Sequence, residues 1–246
     1  MSVRRLCIAL AFLIVSVTMH TQPPEALCAP SVPPDELQYR FGLAPGHSSA
    51  VELVELIENP TVFVSDARAA GSDDPAATIV TTETHAVYPI RPGSLAAILR
   101  DDDDLADIVP DLVVHETICE HSPSMIKQYQ RTEFHVLFFT FGTEYLIDAY
   151  YALNGPDEYG SYWGMYESLD GKLAYQYGSW YFRSIELDGR EYTYARHYIY
   201  SGVTSRVPGL RIVAQRSAGG RVVEMFDALY AEAVRRHGTT PIASLD

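Results

Sequence analysis

The residues of this chain best equipped for chemistry lie together at His115-Glu116-Thr117-Ile118-Cys119-Glu120-His121. A zinc-protease helix needs two histidines four residues apart on one face, with a glutamate between them as general base. Here the second histidine follows six residues after the first, so that arrangement is excluded. On a strand, His115, Thr117, Cys119 and His121 share a face. That is the geometry of a His/Cys/His cluster or, more simply, of polar residues at a strand end. Asp101 to Asp104 lack the spaced oxygen ligands and the glycine of a calcium loop, and read as a solvated turn. No G-x-S-x-G elbow, phosphate-cradling glycine loop or dinucleotide fingerprint occurs. The sequence predicts no metal, no cofactor and no catalytic set.

Binding chemistry is better represented. Of the 28 Phe, Trp and Tyr residues, 21 lie between Tyr129 and Tyr200. Such rings offer broad apolar contact with a polar handle, which suits an amphiphilic ligand. Tyr192, Tyr194, Tyr198 and Tyr200 fall on one strand face together with Arg196. If that face lines an interior, Arg196 needs a carboxylate or an anionic head group. If it faces outward, Arg196 is a solvated strand residue and the tyrosines are a cross-strand ladder. Alternation alone leaves both readings open.

These residues need a frame. Ala77 to Ile90 alternates as a first strand. Pro92 then opens a short helix with Leu95, Ile98 and Leu99 inward, and Leu105, Ile108 and Val109 suggest a second, ended by Pro110. Strands are expected over Leu112 to Glu120, Lys127 to Gly142, Glu144 to Leu153, Tyr162 to Ser168, Lys172 to Ile185 and Glu191 to Ser201. Asn154-Gly155-Pro156 and Asp188-Gly189 supply turns. Pro208 announces an amphipathic helix through Arg236, with Val222, Phe226, Leu229 and Ala233 on one stripe and a break or bend at Gly219-Gly220. Upstream, Ser48 or Ser49 caps a helix through Glu58 with Val51, Val54, Leu56 and Ile57 as its stripe, and Thr61 to Val64 follows as a short strand. A loop at Gly71-Ser72-Asp73-Asp74-Pro75 marks the domain boundary. The class is α+β: an antiparallel sheet of six or seven strands, between about 77 and 237, gripping the long C-terminal helix.

The N-terminus reads as an export signal or anchor over residues 1–29. Arg4 and Arg5 precede an apolar run from Leu6 to Val17, too short to span a bilayer. Cys28 allows lipidation, although Leu27 is a poor neighbour for it. The expected location is therefore extracytoplasmic, periplasmic or secreted, with a membrane tether at the N-terminus as an option. In such a compartment Cys28 and Cys119 are able to pair, but the simpler reading makes Cys119 a buried core thiol. Residues 30–75 form a linker and helical extension, with Pro23-Pro24 and Pro33-Pro34 marking the tether. A net charge of −14 excludes nucleic acid and electrostatic docking on an anionic membrane as partners. A monomer is expected.

Gly178-Ser179-Trp180-Tyr181-Phe182, the Asp188-Gly189 turn, the strand Tyr192 to Tyr200 and the helix opened by Val207-Pro208 together resemble the closing half of START-like helix-grip domains. That superfamily contains lipid-transfer domains and polyketide cyclases, and the resemblance covers about Ala77 to His237, within residues 76–246. It implies a pocket between sheet and helix that holds a lipid or other hydrophobic small molecule. Tyr166, Trp180, Arg196, Tyr198 and Phe226 are the expected contacts, with Arg196 on the polar head. A non-enzymatic carrier or sensor is the leading reading. One alternative is a cyclase- or aromatase-like enzyme using His197, Glu133 or His135; another is an envelope interaction protein whose cavity is filled.

Overall fold

The computed structural model describes residues 50–59, 61–100, 105–136, 139–153, 157–204 and 210–238. The signal segment, Cys28, Asp101 to Asp104 and the Asn154-Gly155-Pro156 turn lie outside these residues.

The chain runs α1 (Ala50–Glu58), β1 (Thr61–Ala69), β2 (Thr78–Tyr88), α2 (Pro92–Leu99), α3 (Leu105–Ile108), β3 (Leu112–Ser122), β4 (Met125–Val136), β5 (Phe139–Leu153), β6 (Glu158–Ser168), β7 (Leu173–Leu187), β8 (Arg190–Val203) and α4 (Leu210–His237). The eight strands form one sheet in the order β1-β2-β8-β7-β6-β5-β4-β3. Every pairing is antiparallel. Seven strands fall between 77 and 237, as expected. The eighth, β1, comes from the segment read as an extension; it is longer than expected and hydrogen-bonds along β2.

Local chemistry accounts for most boundaries. Asp188 and Gly189 both take positive φ, 52° and 73°, the twist that a two-residue hairpin turn needs. Pro92 occupies the first turn of α2, where its missing N–H has no helical partner to lose. Three expectations are corrected. The strand expected over Lys127 to Gly142 ends at Val136, and β5 begins at Phe139, so Gly142 lies inside β5 opposite Glu133. The Gly219-Gly220 pair does not break α4, which runs on through it. Among the described side chains of α1, Leu53 and Leu56 are buried, while Val54, expected on the apolar stripe, is exposed.

The sheet is covered on both sides around β2, β7 and β8. On one side, Phe226, Leu229 and Ala233 of α4 and Leu95, Ile98 and Leu99 of α2 pack on Ala86, Tyr88, Trp180, Phe182 and Ala195. We call this the helix side. On the outer side, Leu53 and Leu56 of α1 pack on Val87, Tyr181, Leu187 and Tyr194.

Gly178 shows how tightly the helix side is built. A Cβ there would meet the Trp163 indole, and its second neighbour would be the Tyr198 carbonyl oxygen at 2.5 Å. Backbone cannot yield as a side chain does, so Gly178→Ala should destabilise the fold by roughly 1–3 kcal/mol. A urea titration showing an unchanged midpoint would contradict this packing.

Candidate functional site

Register decides which side chains can meet. Trp180 on β7 stands opposite His197 on β8, and His197 stands opposite Thr84 on β2. All three project to the helix side. There the Trp180 ring lies 4.1 Å from the His197 ring and 5.2 Å from Phe226. Trp163 stacks on His197 at 5.7 Å, and Tyr88 stacks on Tyr230 of α4 at 4.5 Å. This aromatic floor encloses polar atoms. His197 Nδ1, Thr84 Oγ1 and the Tyr88 hydroxyl are buried with no hydrogen-bond partner. Desolvation pulls the His197 pKa down from 6.5 to about 3, so the ring is neutral. The same cause, joined by Asp227 and Tyr230, pushes the Tyr88 phenol well above its usual range.

Farther along the helix side, β3, β4, β5 and β7 place a second polar group. The Tyr145 hydroxyl donates to Gln130 Oε1 at 3.2 Å. Gln130 Nε2 lies 3.2 Å from His115 Nδ1, and Gln128 Nε2 lies 2.9 Å from His115 Nε2. A neutral imidazole accepts at one nitrogen and donates at the other. Tyr145 occupies Gln130 Oε1, so Gln130 Nε2 donates to Nδ1, and the Gln128 Nε2 set against the ring's Nε2 completes the pair only with that amide turned over. Burial pushes the Tyr145 pKa up to about 12, against hydrogen bonds from Thr132 and Gln176. Gln176 Oε1 is left buried with no partner. Sequence alone points to His115 and not to the cluster, because the members come from four strands whose register it does not show.

The five residues expected to contact a ligand divide between the two sides. Trp180 and Phe226 lie on the helix side and touch. Arg196 and Tyr198 point outward, because the β8 residues of their parity share the face of Tyr194 and Tyr181. Arg196 is neither a cavity cation nor a solvated residue. It is buried, its Nε donates to Glu83 Oε1 at 2.6 Å, and Glu83 also lies 3.6 Å from His85 Nε2. Tyr166 is also outward, its ring 3.4 Å from the Lys127 ammonium, which pairs with Asp148 at 2.7 Å. One pocket cannot hold all five.

Other candidates resolve similarly. His115 belongs to the glutamine cluster, and no group of three or more His, Cys, Asp or Glu among the described residues is placed to hold a metal ion. Cys119, expected as a buried free thiol, is disulfide-bonded and only half-buried on β3; its partner lies outside the described residues. Glu133 pairs with Arg131, and the β4 register puts it on the outer side, away from His197. The side chain of His135 lies outside the description. Between α2 and the sheet, Ala96, Leu99, Arg100, Tyr151, Tyr159 and Phe182 border a crevice of about 20 Å³. That is room for about one water. A surface depression of about 380 Å³ beside α3 is bordered instead by Asp107, Asp111 and Glu133.

No protein-family model matches this chain, and neither does any curated protein. Solved structures do. A STAR-related lipid transfer protein from Xanthomonas axonopodis superposes with a TM-score of 0.53 at 13% identity, covering 72% of this chain and 94% of that one. Human StAR-related lipid transfer protein 5 gives 0.51 at 8% identity, covering 70% and 86%. A protein from Thermus thermophilus gives 0.51 at 11% identity, covering 64% and 99%. Identities this low speak for architecture alone, and the architecture agrees with the sheet and closing helix described above. The chain has the START-like helix-grip fold.

Proposed function

We propose that this chain is an exported, non-enzymatic carrier or sensor that holds a lipid or another hydrophobic or amphiphilic molecule between the sheet and α4. One observation carries the reading. On the helix side, an aromatic floor surrounds uncharged polar atoms of His197, Thr84 and Gln176 that have no protein partner. A buried polar atom without a partner costs stability, and a ligand group arriving there removes that cost. The acid–base alternative loses support because Glu133 and His197 project from opposite sides. Export is supported by Arg4-Arg5 and the apolar run behind them. The disulfide at Cys119 also suits an oxidising compartment.

The 20 Å³ crevice is far smaller than a ligand pocket of roughly 300–1,000 Å³. This crevice as it stands does not admit a ligand of that size. The same tightness favours a second reading, an envelope interaction protein with a filled interior. Native mass spectrometry of protein purified from its own host separates the two. A bound mass that is released on denaturation and extracts into organic solvent is expected. A bare polypeptide mass in every preparation, with no thermal stabilisation by added lipid, would leave the interaction protein standing.

A further inference from the structure

Resting on the binding reading above, the geometry specifies the ligand further. We infer that it is uncharged and carries two hydrogen-bonding groups about 13 Å apart, one meeting His197 and Thr84, the other meeting Gln176. The charge argument is positional. Among the described residues, the buried lysine and arginine are Lys127 and Arg196. Both project outward, and both are already neutralised, by Asp148 and Glu83. The buried polar groups of the helix side are amides, hydroxyls and imidazoles. An anionic head placed among them would exchange its hydration for neutral dipoles, with no buried cation among the described residues of that side to offset the loss.

The spacing follows from register. His197 stands opposite Trp180, and Gln176 lies four residues before Trp180 on β7, on the same side. Four residues of strand span about 13 Å. Thr84 and His197 are direct cross-strand neighbours, nine-tenths or more buried, so their partnerless atoms form one anchor. At the other end, Gln176 is held by the Tyr145 hydroxyl, which Gln130 and His115 hold in turn. The carboxamide is thus oriented, and its free oxygen accepts a proton from a ligand O–H or N–H. The floor between the anchors is the Trp163 ring lying over Gly178, with Ile199 on the next strand. That surface asks for an apolar middle. The chemical class is a neutral molecule with a hydroxyl or amide at each end of an apolar span.

Decanediol, decanol and decanoate test this by calorimetry on the full chain, because they share one apolar span and differ in their ends. The diol should bind, and decanoate should bind at least about tenfold more weakly than the diol. Gln176→Leu should weaken the diol about tenfold and leave decanol, which keeps the His197–Thr84 end, within about threefold. Thr84→Val should weaken both, and circular dichroism verifies that each variant is folded. Decanoate binding as tightly as the diol, or Gln176→Leu without effect on the diol, would overturn this inference while leaving the carrier reading intact. Silence from all three probes, together with a bare mass in the native spectrum, would overturn both.

Discussion

Replacing Lys127 by alanine should destabilise the protein by about 3–5 kcal/mol, because it strands the Asp148 carboxylate in a site with no access to water. Asp148 is fully buried and Lys127 nearly so. Their 2.7 Å contact and the Tyr166 ring over the ammonium take the place of hydration. Desolvating the two charges already costs much of what their attraction returns, so the pair as a whole contributes little. The double change Lys127→Met with Asp148→Leu should therefore lie within about 2 kcal/mol of the wild type, in either direction. Urea denaturation of the three proteins decides the matter. A Lys127→Ala variant losing less than about 1 kcal/mol would mean that water reaches the pair.

Acid should weaken the fold through His197. Burial lowers its pKa from 6.5 to about 3. Between those values the unfolded chain holds the proton and the folded chain does not, so stability falls as pH falls. The contribution is complete above the unfolded pKa and is lost progressively down to the folded one. By about pH 5 the loss attributable to this residue is roughly 2 kcal/mol. His197→Phe keeps the ring and removes the titration. Its stability should decline less than that of the wild type between pH 7 and pH 5 by that amount. Carboxylates titrate in both proteins, so their effect cancels in the difference. Parallel declines would mean that the imidazole takes up its proton in the folded state.

Element order was legible in the sequence because it rests on local signals: Asp188-Gly189, Pro92, and the stripe from Val222 to Ala233. The site was half legible, and the reason is register. Alternation shows that Arg196 and Tyr198 share a face, and separately that Trp180 and Phe182 do. It cannot show that the even-numbered residues of β7 align with the odd-numbered residues of β8, which is what Trp180 opposite His197 means. Arg196 was therefore grouped with Trp180, though the sheet lies between them. The β1 strand was underestimated because its partner is β2, beyond a loop that looked like a boundary. The long-range partners Glu83 and Asp148 were invisible for the same reason.

The place of β8 in the sheet bears on how the chain folds. Strands β3 to β8 each pair with the next in sequence, so short loops suffice to assemble them. The β2 strand instead waits for β8, and the Arg196–Glu83 contact that joins them spans 113 residues. Closing so large a loop is entropically slow and gains nothing until the last strand exists. A growing chain thus carries the β1–β2 hairpin with its β2 edge uncovered, and the apolar face of α1 without Tyr181, Leu187 and Tyr194, until β7 and β8 are available. Loop closure thus favours assembly of the meander before the β1–β2 hairpin docks along its free edge.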